Sequence, residues 1–122
     1  MTKIAIIGDV HANWKALNRT LYDALMVHNV DTIVQVGDMC YGWPYSAPWE
    51  CNYQLDLEYK KKVLNTPMYW IDGNHENFDL LEQDQGKSMQ HWEYWPRGTI
   101  KDIPGIGPCL GIGGAKTPEI YQ

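Results

Sequence analysis

Five side chains in this sequence have the types and spacing to act on an anionic substrate. They are Asp9 and His11 in Gly8-Asp9-Val10-His11, Asp38 in Gly37-Asp38, and Asn74 and His75 in Gly73-Asn74-His75-Glu76. Two carboxylates, an amide and imidazole make an oxygen-rich donor set that suits manganese, iron or magnesium, with zinc and nickel also compatible. The absence of clustered thiolates argues against a structural zinc site. With one residue between them, Asp9 and His11 are expected to point the same way off a strand end, where side chains alternate with period two. Asp38, arriving from a neighbouring strand, would then bridge two ions. A carboxylate-bridged pair about 3.5–4 Å apart clamps a phosphoryl group and generates hydroxide at neutral pH.

Such convergence needs elements that end side by side, and the hydrophobic pattern supplies them. Residues 3–7 form a compact apolar run that stops at Gly8-Asp9 and reads as a strand buried on both faces. From Asn13 the period changes: Trp14, Leu17, Leu21, Ala24 and Leu25 recur at helical spacing, opposite Lys15, Asn18, Arg19 and Asp23. A β-branched run over residues 32–36 again stops at a glycine and an aspartate, Gly37-Asp38. A second helix is expected over residues 53–64 and a third strand over 68–71, which runs into Asp72-Gly73-Asn74-His75. Two strand–helix–strand crossovers make these strands parallel neighbours, so all three polar clusters fall on the carboxyl side of one sheet, where open α/β sheets bind ligands. Beyond Asn77 a short helix to about Asp84 is expected, then a hairpin from 91–95 to 98–103 turning at Pro96-Arg97-Gly98, and a last strand over 109–112. Glu76 reads as a first-turn helix acid, Asp72 as a turn residue, Arg97 as an exposed turn cation, and His28 as a packed or capping histidine. The aromatic loop 41–53 reads as cover for the core rather than as a stacking surface for a base.

Composition bounds these readings. A chain of 122 residues, 44% hydrophobic and 20% charged, is expected to be a single α/β domain over 1–122, neither disordered nor coiled-coil. Its formal net charge of -5 gives no nucleic-acid or anionic-membrane signal, and an anionic substrate would need a cation to meet it. Three cysteines without Cys-x-x-Cys spacing point to a reducing cytoplasm. No uncharged stretch is long and apolar enough to span a membrane.

Taken together, Asp9-x-His11, Gly37-Asp38 and Gly73-Asn74-His75-Glu76 resemble, in that order and each directly after a predicted strand, the first three motifs of the calcineurin-like metallophosphoesterases. Gly8-Asp9-Val10-His11-Ala12-Asn13-Trp14, Tyr41-Gly42-Trp43-Pro44, Pro96-Arg97-Gly98-Thr99 and Gly111-Ile112-Gly113-Gly114-Ala115 are similar to the bacterial and phage branch. The resemblance implies a partly parallel sheet with flanking helices, the first half of a four-layer sandwich. It implies an ion held by Asp9, His11 and Asp38, a second begun by Asp38 and Asn74, and a catalytic His75 that stabilises charge or protonates the leaving oxygen of a phosphate ester. The divalent ion would be manganese foremost, with iron, zinc, magnesium or nickel as alternatives. Members of that superfamily continue past the Gly-Gly-Ala strand to three further histidines, including a Gly-His-x-His pair. The 122 residues are therefore expected to be a C-terminally truncated copy with an incomplete second ion site. Three functional readings stay open: a metal-dependent phosphoesterase, an inactive module that binds a complementary C-terminal chain or another copy of itself, and, third in order, a single-metal site serving a nucleotide-binding role.

Overall fold

A computed structural model describes residues 2–42, 49 and 56–113 of the chain. Strands β1 (Ile4–Ile7), β2 (Thr32–Gln35), β3 (Met68–Trp70) and β4 (Glu93–Tyr94) form one sheet in that order. Every neighbouring pair is parallel, with Ala5 opposite Ile33 and Ile33 opposite Met68. Each helix starts at a side chain that satisfies a free amide. Asn13 accepts from Ala16 N to open α1 (Trp14–Tyr22), Asp56 from Glu58 and Tyr59 N to open α2 (Leu57–Asn65), and Asn77 from Leu80 N to open α3 (Phe78–Asp84). α1 widens into a π-helical turn, Asp23–Val27.

The register sends Ala5, Ile7, Ile33, Met68 and Trp70 to one face, where they pack with Leu17, Leu21, Leu25, Tyr59, Val63 and Leu81 from the helices. Leu21 and Leu25 are fully buried, each stabilising the fold by about 1.5–3 kcal/mol. On the other face, Trp95 meets the Tyr69 ring edge-on and Lys101 Nζ stands 4.7 Å over it.

The parallel sheet with flanking helices agrees with the α/β reading, and several boundaries differ from it. β1 lies at the sheet edge rather than within it, and Ile6 is 72% exposed, so only one face of that strand is buried among the described residues. The expected hairpin at Pro96-Arg97-Gly98 does not form. Residues 93–94 instead join the parallel sheet as β4, and the hairpin is β5 (Ile100–Ile103) with β6 (Gly107–Leu110), antiparallel. Pro104, with Gly105 at φ +84° and Gly107 at φ +105°, supplies the reversal that a Pro-Arg-Gly turn was expected to make. α2 begins at Leu57 because Asp56 caps it; residues 53–55 lie outside the described set, as do Trp43 and Tyr45 of the aromatic loop. Tyr41 and Trp49 are buried, as core cover should be. No helix among the described residues is long and apolar enough to cross a membrane.

Tyr41 also locks α3 in place. Its ring stacks on Trp70 with centroids 5.0 Å apart, and its hydroxyl donates to Asp84 Oδ2 at 2.5 Å, where Ser88 Oγ also donates at 2.7 Å. Burial alone would raise the Asp84 carboxyl, but the bonds from Tyr41 and Ser88 outweigh it and hold the group below the ordinary aspartate range. A depressed folded-state value means stability that is complete above the unfolded aspartate pKa of about 3.9 and is lost as pH falls through the folded value. The thermal midpoint is therefore expected to drop more steeply below about pH 4 in the parent chain than in Asp84→Asn. Parallel curves for the two proteins would remove Asp84 from the acid response.

Candidate metal centre

Past the end of β1 the chain turns through left-handed backbone rather than running on as a strand. Asp9, His11 and Ala12 have φ of 51°, 49° and 57°, and in the loop after β2 so do Asp38 at 57° and Cys40 at 61°. The period-two expectation for Asp9 and His11 thus gives way to a tight turn. Val10 between them is buried in the core and pins that turn to the domain. Each such residue costs about 1–2 kcal/mol when it is not glycine, and strain of this kind concentrates at functional sites. Two backbone bonds hold the loops together, His11 N to Asp38 O at 2.7 Å and Ala12 N to Met39 O at 3.1 Å.

The result is a compact donor group. His11 Nε2 stands 3.7 Å from Asp9 Oδ1 and 4.0 Å from Asp38 Oδ2, and one ligand atom from each residue lies within 4.8 Å of the others. Two atoms bound at about 2.1 Å to one octahedral ion lie between about 3.0 and 4.2 Å apart, so the three side chains fit a divalent cation with only small adjustment. Asp9 is largely exposed, whereas the Asp38 side chain is only 17% exposed.

The third loop is built against Asp38. His75 N donates to Asp38 Oδ1 at 3.2 Å, and the exposed His75 ring meets that of His11 edge-on with centroids 5.4 Å apart. Asn74, half-buried, precedes His75 in the same loop and is not in the donor group that joins Asp9, His11 and Asp38. Gly73 is required here: a Cβ on it would overlap the Asp38 carboxylate and sit 2.5 Å from the Asp38 amide nitrogen.

Glu76 holds the arrangement from below. It is buried, and it accepts from Gly73 N at 2.6 Å and Asp38 N at 3.1 Å through Oε2, and from Tyr41 N at 3.1 Å through Oε1. Burial raises its pKa, the amides of Gly73, Tyr41, Cys40 and Asp38 pull the other way, and the net shift is upward. This corrects the first-turn assignment. Asn77 caps α3, so Glu76 precedes the helix and turns inward; a cap residue directly after a glutamate was the available signal.

The model for the calcineurin-like phosphoesterase family matches residues 2–117. The chain belongs to that family. No curated protein matches the chain.

In this calcineurin-like phosphoesterase domain the other histidines stand apart from the donor group. The His28 carbonyl accepts from Lys3 Nζ at 3.3 Å, which puts it beside the start of β1, the opposite end from Asp9. His91 packs edge-on to Trp49. Asp72 is more than a turn residue: it is buried and accepts from Tyr94 Oη at 2.8 Å and Arg97 Nε at 2.5 Å. Burial and the bond to Asp72 push the Tyr94 phenol well up. Arg97 is exposed, as expected, and its side chain also anchors Asp72, just before the Asn74 loop, and lies 5.4 Å over the Phe78 ring.

Proposed function

We propose that this chain is a metal-dependent phosphoesterase that hydrolyses phosphomonoester or phosphodiester bonds. The reading is carried by one observation, the Asp9, His11 and Asp38 donor group at the carboxyl ends of adjacent parallel strands. Asp9, His11 and Asp38 hold a divalent ion, and Asn74 with the shared Asp38 begins a second position. A bound ion supplies positive charge to phosphoryl oxygens and acidifies water. His75, exposed beside His11, acts on the phosphoryl group by balancing charge or delivering a proton to the leaving oxygen. Manganese suits the oxygen-rich donor set best, with iron, zinc, magnesium and nickel as alternatives. Three cysteines without Cys-x-x-Cys spacing support a cytoplasmic home.

The test is turnover of bis(p-nitrophenyl) phosphate and p-nitrophenyl phosphate with manganese, before and after chelation. Hydrolysis is expected with manganese and absent with chelator. His75→Ala should lower kcat by about 10²–10⁴-fold while manganese binding persists. Turnover that ignores the chelator would overturn the metal reading. A second reading, a binding or self-associating module, is supported by the exposed cross-strand pair Ile100 and Leu110 beside exposed Ile112. Metal-independent association without turnover would favour it.

A further inference from the structure

We propose that Cys40 is a positioning residue for the metal centre: its sulfur accepts the Nδ1–H of His11 and fixes the imidazole in the tautomer whose Nε2 lone pair faces Asp9 and Asp38. The inference rests on the reading of His11 as a ligand given above. A neutral imidazole carries one proton on one of two nitrogens, and only the bare nitrogen binds a cation. His11 Nε2 has Asp9 Oδ1 at 3.7 Å and Asp38 Oδ2 at 4.0 Å, both beyond hydrogen-bond range. On the other side of the ring, Nδ1 meets Cys40 Sγ at 3.7 Å, within reach for the larger sulfur atom. Sγ is thus placed to take the Nδ1 proton, the role proposed for it, whereas neither carboxylate is within hydrogen-bond distance of Nε2.

The sulfur is itself held firmly. Cys40 is buried at 8% exposure between fully buried Met39 and Tyr41, and its backbone takes the left-handed conformation. Met39 O accepts from Ala12 N, and Tyr41 N donates to Glu76, so both flanks of the cysteine are tied to other loops. Metal-binding histidines usually direct the outer N–H at a carboxylate, carbonyl or water, and loss of that partner lowers metal affinity about 10–100-fold. A thiol is a weak acceptor, so the bond orients the ring without adding negative charge to the site.

Two readouts test this. Long-range ¹⁵N–¹H NMR of the metal-free chain at about pH 7.5, where an ordinary imidazole is mostly neutral and an ordinary thiol mostly protonated, is expected to show His11 protonated at Nδ1 alone. Cys40→Val should give averaged nitrogen shifts, with Cys40→Ser returning toward the parent pattern. Calorimetric titration with manganese should show affinity about 10–100-fold weaker in C40V and a smaller loss in C40S. If C40V does not fold by circular dichroism, Cys40→Ala carries the comparison. A parent chain protonated at Nε2, or a folded C40V with unchanged tautomer and unchanged affinity, would overturn the proposal. A parent chain that binds no manganese would defeat the metal reading, while the metal-free spectrum still decides the role of Cys40.

Discussion

Asp38→Asn is expected to abolish metal-dependent phosphoester hydrolysis, lowering kcat/KM by at least about 10³-fold, or about 4 kcal/mol of transition-state stabilisation. The reason lies in the two faces of this carboxylate. Oδ2 looks toward His11 and Asp9, whereas Oδ1 accepts the His75 amide. An asparagine has nearly the same shape and keeps a carbonyl for the His75 N–H, but it removes the charge that attracts a cation. It also relieves the proximity of two carboxylates in the metal-free chain. Stability should therefore change by less than about 1 kcal/mol while manganese binding collapses. Parent-like turnover in a folded Asp38→Asn protein would rule out Asp38 as a ligand.

Glu76→Ala is expected to be the most damaging single change to the fold around the site, costing about 3–5 kcal/mol. Truncation leaves the amides of Gly73, Asp38 and Tyr41 without their acceptor in a buried setting, at about 1–3 kcal/mol each less whatever water restores. Glu76→Gln should cost less, since one carbonyl oxygen remains, but its NH₂ group turns a donor toward other donors. The denaturant midpoint should fall in the order parent, Gln, Ala with little change in slope. An Ala variant within about 0.5 kcal/mol of the parent would mean that the three amides find other partners.

The parallel sheet was legible in the sequence because residues 3–7, 32–36 and 68–71 are short apolar runs that each stop at glycine or a polar turn, and the intervening periodicity is helical. The hairpin was not. Pro96-Arg97-Gly98 has the composition of a turn, but Trp95 N bonds to Trp70 O and draws that segment onto β3. Such tertiary pairing is invisible to local turn chemistry. At the site, residue types identified Asp9, His11, Asp38, Asn74 and His75 as candidates, since chemistry at strand ends can be read one residue at a time. Glu76 and Asp72 were misread because both work through burial. A glutamate that collects three amides from two loops looks, in sequence, like one that simply begins a helix.

The backbone bonds that join His11 to Asp38 and Ala12 to Met39, with Glu76 beneath them, bear on how the centre comes into being. Asp9 and His11 share one turn, but Asp38 lies 27 residues beyond His11, so no short peptide from this chain contains the whole donor group. The Asp9, His11 and Asp38 group closes with the first crossover, and the loop that carries Asn74 and His75 joins it only with the second; both are non-local steps of folding. It should likewise be lost with the fold: an opening that frees the loop after β1 or the loop after β2 parts Asp38 from Asp9 and His11.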